Sequence, residues 1–146
     1  MKRQQTLVFT LVVLAFVFPS ASADVKSDLV VEDAWVRLGP SIVKVHAGYF
    51  SIINQSSDKS FRLVGVKSDL FEKVEMHNTS LVDGMMRMEH LHYVDIQAGK
   101  KIQFSTSGKH LMLINKRKPI KEGDLIPVTL ILNDDQFIDV EMKVKR

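Results

Sequence analysis

The last apolar stretch of the chain, Phe137 to Lys145, alternates without interruption. Ile138, Val140, Met142 and Val144 interleave with Asp139, Glu141, Lys143 and Lys145. Successive side chains of an extended chain point to opposite faces, so this period of two sends the first set to a core and the second to water. Similar strand-like runs, rich in Val, Ile, Leu and Phe, cover Leu29–Leu38, His46–Asn54, Phe61–Val66, Val74–Leu81, Met85–Ile96, Lys101–Thr106, Lys109–Asn115 and Ile126–Leu132. Turn residues separate them: Gly39-Pro40 ends the first, Asn54–Lys59 closes the second, and Asn133–Gln136 leads into the last. Asp83-Gly84 is the dipeptide most typical of a tight hairpin, and Ser107-Gly108 reads as another. No segment beyond the amino-terminal stretch has a helical period of useful length, and there is no repeat or low-complexity tract. About nine short strands without helices predict an all-β domain, built as an antiparallel two-sheet sandwich or a closed barrel.

The amino terminus has a different character. Lys2 and Arg3 precede an apolar run from Thr6 to Phe18, and Pro19-Ser20-Ala21-Ser22-Ala23 ends in a small-x-small triplet. This is the pattern of a secretory signal peptide over residues 1–23, cut after Ala23, with residues 24–146 as the exported domain. The apolar run is shorter than the roughly 20 residues that cross a bilayer as a helix, so no stable membrane insertion is expected after cleavage. No cysteine stands at the cleavage point to carry a lipid anchor. The whole chain has 20 basic and 17 acidic residues, a net charge of +3, and loss of Lys2 and Arg3 leaves 18 against 17, or +1. The one basic run, Lys116-Arg117-Lys118, has no aromatic ladder beside it, so nucleic acid is not expected as a partner.

A chain with no cysteine has neither disulfides nor thiolate ligands. It does have His77, Met88, His110 and Met112, with 10, 21 and one residues between successive members. Neutral imidazoles combined with thioethers make a soft, uncharged donor set that suits Cu(I) better than Zn(II), Mg(II) or Ca(II). If Asp83 and Gly84 form a two-residue loop, hairpin partners sum to 167, which sets Thr79 opposite Met88 and His77 opposite His90. His77 and Met88 are then diagonal neighbours on one face, about 7 to 8 Å apart at the backbone. A three-residue loop would put them on opposite faces. His110 and Met112, two apart, share a face if Lys109–Asn115 is a strand.

The spacing H-x10-M-x21-H-x-M resembles the motif of the periplasmic copper chaperones of the PCu(A)C type. The flanks resemble that family too: Asp33-Ala34-Trp35-Val36-Arg37, Gly84-Met85-Met86-Arg87-Met88, His110-Leu111-Met112-Leu113, and Leu125-Ile126-Pro127-Val128-Thr129-Leu130. The likeness covers essentially all of residues 24–146. It favours the sandwich, and it implies an antiparallel Greek-key β-sandwich of the cupredoxin-like kind. It also implies a monomer that holds Cu(I) through His77, Met88, His110 and Met112. By the same likeness, the ion goes to a copper-accepting protein, the CuA-bearing subunit II of cytochrome c oxidase or another assembly chaperone. That the two donor pairs face each other is likewise an implication of the resemblance. His90 and His92 depart from the family pattern, as does an end at Lys145-Arg146 where some relatives carry a His- and Met-rich tail.

Other residues of the same types have plainer readings. Met76, Met86 and Met142 fall at alternating strand positions and are expected in the core, and His46 is expected to be structural. A blue-copper electron-transfer site needs a thiolate, which is absent, and no nucleophile-elbow or metal-hydrolase pattern suggests an enzyme. The competing reading is a metal-free exported sandwich that binds a protein or surface ligand.

Overall fold

The computed structural model describes residues 28–146, so the expected signal peptide lies outside the described residues. Ten strands follow in order: β1 (Leu29–Arg37), β2 (Val45–Asn54), β3 (Phe61–Lys67), β4 (Phe71–Val82), β5 (Met85–His90), β6 (Val94–Ile96), β7 (Lys101–Phe104), β8 (Lys109–Lys116), β9 (Leu125–Leu132) and β10 (Phe137–Lys145). Among the described residues no helix is long and apolar enough to cross a membrane.

Hydrogen bonding runs in the order β5-β4-β8-β2-β1-β10-β9-β3-β6. Every pair is antiparallel apart from β1 with β10. The sheet folds over on itself, so that Met76, Leu111, Leu113 and Ile52 from one half pack in the same core cluster as Leu63, Ile126, Val128, Leu130 and Met142 from the other. The alternation of β10 is realised: Met142 and Val144 are buried, Ile138 and Val140 pack against the core, and Asp139, Glu141, Lys143 and Lys145 are exposed. Gly48 belongs where it is because a Cβ there would lie 2.9 Å from Leu113 Cδ1 and 3.2 Å from Met142 Cε. Its missing side chain lets β2 lie close under both.

Two expectations change. The run Met85–Ile96 is two strands, β5 and β6, interrupted at 91–93. Ser107-Gly108 does not join a paired hairpin, because β7 and β8 both pair antiparallel with β2, along Phe50–Ile53 and Val45–Gly48 respectively. Partner numbers sum to 154 for β7 and 159 for β8. The five-residue difference is taken up in a jog, closed by bonds from the Ser105 N–H to the Lys109 carbonyl and from the Gly108 N–H to the Ser105 carbonyl.

His46 is structural, as anticipated. It is buried beside Phe71, ring centroids 6.1 Å apart, and neither ring nitrogen has a hydrogen-bond partner of ordinary geometry. Burial holds its pKa below the ordinary 6.5; a backbone contact from Arg37 opposes this in part, and the Lys116 charge adds to it. A folded-state pKa below the unfolded value costs nothing while both states are neutral. The cost appears as pH falls below about 6.5, where the unfolded chain takes up the proton first. Denaturant unfolding between pH 7.5 and 5.5 should therefore show the wild type losing stability on acidification more steeply than His46→Leu. Equal slopes would contradict this assignment.

Candidate metal centre

The centre is built on three neighbouring strands. Asp83 and Gly84 both take positive φ, 51° and 77°, the backbone of a two-residue type I′ turn whose twist matches that of the flanking strands. The hairpin register follows, with Thr79 opposite Met88 and His77 opposite His90. On its other edge β4 pairs with β8, placing His77 opposite His110 and Glu75 opposite Met112. His90, His77 and His110 thus form one row across β5, β4 and β8, with ring centroids 5.3 and 6.1 Å apart. Met88 stands two residues from this row towards the turn, and Met112 two residues away in the other direction. By strand parity all four anticipated donors lie on one face, with the methionines flanking the histidine pair from opposite sides. His110 is buried and Met88, on the edge strand, is 57% exposed.

Hydrogen bonds orient the two imidazoles. His77 Nε2 lies 3.1 Å from Glu75 Oε2, and the other Glu75 oxygen binds Lys73 Nζ at 2.5 Å. The ammonium of Lys73, and then His77, hold the Glu75 carboxyl below its usual pKa. An ionised carboxylate only accepts, so His77 donates from Nε2 and its lone pair is on Nδ1. That Nδ1 is buried and has no partner. His110 Nδ1 lies 3.0 Å from the Gly108 carbonyl oxygen, which fixes its proton on Nδ1 and leaves the lone pair on Nε2. One nitrogen anchored to a carboxylate or carbonyl and the other left open is the arrangement that orients metal-binding imidazoles.

These residues fit a soft ion. A buried nitrogen left unpaired costs about 1–3 kcal/mol, a cost that an ion at His77 Nδ1 removes. Among the described residues no three His, Asp or Glu side chains are gathered to hold a metal. The donors that the register adds to this face are thioethers, and sulfur with imidazole selects Cu(I) over hard cations. A cleft lined by Lys59, Ser60, Phe61, Asp134 and Phe137 among others has no histidine or methionine and is a separate feature.

Met76 and Met142 are buried as expected, whereas Met86 is 64% exposed. It lies on the face of Met88, past Asn78 and Lys109, the last pair between β4 and β8, where the hairpin has no neighbouring strand on its β8 side. Leu81 and Met85 are exposed on the same projection. Glu75 escaped notice in the sequence, although its spacing of two from His77 was a usable signal, since two residues apart on a strand share a face.

A family model described as "Putative lipoprotein LpqE-like" matches residues 29–144. The chain belongs to the LpqE-like family. This LpqE-like chain is similar to "Uncharacterized protein RP573" of Rickettsia prowazekii, 29% identical over 99 residues, which are 67% of this chain and 54% of the relative. It is also similar to "Putative lipoprotein Lxx21020" of Leifsonia xyli subsp. xyli, 28% identical over 116 residues, 79% of this chain and 68% of the relative. The chain spans about half the length of the first of these and about two thirds of the second. Among solved structures it is similar to Cu(I)-bound DR1885 of Deinococcus radiodurans, with a TM-score of 0.66 and 26% identity over 86% of this chain and 83% of that one. The copper-bound PCuAC domain from PmoF2 gives a TM-score of 0.67 at 20% identity over 81% and 92%, a likeness of fold. The LpqE-like chain therefore shares the fold of the PCuAC domains, the cupredoxin-like β-sandwich anticipated.

The hydrogen-bond pattern predicts opposite tautomers for the two histidines. Long-range nitrogen-15 NMR of the metal-free protein above pH 7.5 should show His77 as the Nε2–H form and His110 as the Nδ1–H form. The same tautomer at both positions would contradict the orientation derived above.

Proposed function

We propose that the LpqE-like chain is an exported, periplasmic carrier of Cu(I), bound by His77, Met88, His110 and Met112 and passed to a copper-accepting protein. The observation that carries this reading is the open, buried Nδ1 of His77 on the same sheet face as His110 and two thioethers. Export is supported by the signal-like residues 1–23. Copper is supported by the solved relatives whose bound forms contain it. Imidazole and thioether hold Cu(I) without forming disulfides in an oxidising compartment, and the absence of a charged thiolate keeps the ion exchangeable. The exposed Leu81, Met85, Met86 and Met88 give an acceptor an apolar edge to dock against, beside the donors themselves. Subunit II of cytochrome c oxidase, at its CuA centre, is the acceptor we favour.

Competition against a Cu(I) chelator should give one Cu(I) per chain. Met88→Ala or Met112→Ala should weaken it by more than about tenfold, a loss of about 1.4 kcal/mol or more. Met142→Ala should keep the affinity and instead lower stability by about 2–5 kcal/mol, the cost of truncating a buried methionine. Stoichiometric Zn(II) binding that Cu(I) does not displace would overturn the proposal, as would an equal copper loss in folded Met142→Ala.

A further inference from the structure

The row of imidazoles continues past the four donors. His90 stands opposite His77 across the hairpin with ring centroids 5.3 Å apart, and the His92 ring is 4.9 Å from that of His90 at an interplanar angle of 69°. Both side chains are exposed. The residue between them is anchored: the Leu91 N–H donates to the Met76 carbonyl at 2.8 Å, and the Leu91 side chain packs against the core. With the backbone tied down at that point, the two rings are held side by side on the open edge of the sheet. They also line one groove with Glu75 and Lys73, walled by Val64, Val66 and Ile131.

The chemistry of this pair differs from that of the four-donor set. It offers nitrogen and no thioether, which favours borderline divalent ions, and for a given nitrogen site Cu(II) binds most tightly of the first-row series. Two imidazoles fill part of a Cu(II) coordination sphere and leave the rest to water. The one carboxylate on the wall of that groove, Glu75, is already engaged by Lys73 and His77.

We propose that His90 and His92 form a second metal station on the edge strand, selective for Cu(II), adjoining but distinct from the thioether-containing set. The inference stands on the geometry of this pair, and it holds whether or not His77, Met88, His110 and Met112 bind Cu(I).

The test is a Cu(II) titration of the protein followed by electron paramagnetic resonance, with Cu(I) affinity measured in parallel by chelator competition. Three proteins are compared: wild type, His90→Gln/His92→Gln and Met88→Ala/Met112→Ala. Glutamine at two exposed positions leaves the core untouched. The wild type should bind one Cu(II) with nitrogen hyperfine structure. The glutamine variant should lose Cu(II) affinity by at least about tenfold while holding Cu(I) to within about threefold, and the alanine variant should do the reverse. Unchanged Cu(II) binding in the glutamine variant would overturn the proposal as an adventitious ion elsewhere. Parallel loss of both ions would overturn it as a single shared site. Loss of Cu(II) in the glutamine variant of a protein that never binds Cu(I) would remove the carrier function and leave this station standing.

Discussion

The proposed metal centre depends on which residue of β4 lies opposite which residue of β8. His77 meets His110 because the two strands pair in one register, and a slip of one residue in either strand would move its donors to the other face. The apolar side chains between the donors hold that register. Leu111 and Leu113, which alternate with His110 and Met112, are fully buried, and Met76 beside His77 is buried. Turning even two such side chains out to water costs about 3–6 kcal/mol at about 1.5–3 kcal/mol each, which is much of the stability of an ordinary domain. Gly48 keeps β2 close to the same core, since a Cβ there would press on the Leu113 and Met142 side chains. Core packing therefore positions the polar face without touching it.

On that face the proposed donors differ in how they are held. His77 and His110 are each tethered by a hydrogen bond, to Glu75 and to the Gly108 carbonyl. The second tether is local, since Gly108 lies two residues before His110, and its carbonyl also accepts the Thr79 N–H of β4 at 3.1 Å. Met88 is on a two-stranded projection with one free edge, and more than half of it is exposed. In the proposed four-donor set, the two tethered nitrogens would keep an ion while the exposed Met88 would let it leave from one side.

Much of this was legible in the sequence. The alternation of β10 and the Asp83-Gly84 turn each specify a local geometry, and the register sum of 167 follows from the turn alone. The pairing of β4 with β8 was not legible, because it joins residues more than thirty positions apart and no local signal encodes the partner; the family likeness implied only that the two donor pairs face each other. Met86 was misread for a related reason: alternation separates two faces but says nothing about whether a second layer covers either one. Ser107-Gly108 has the composition of a hairpin turn, yet β2 was long enough to pair with both flanking strands in succession. Glu75 shares a face with His77 by its spacing of two, but only the side-chain geometry reveals it as the carboxylate that sets the His77 tautomer.

The most direct measurement of the central claim is X-ray absorption at the copper edge of the Cu(I)-loaded protein, which reads donor atoms rather than affinity. Two sulfur and two nitrogen scatterers should surround the ion in the wild type, with both sulfurs gone in any copper still bound by Met88→Ala/Met112→Ala. A first shell of nitrogen and oxygen alone in the wild type would contradict the account, because it would leave the two methionines of this face without a part in holding the metal.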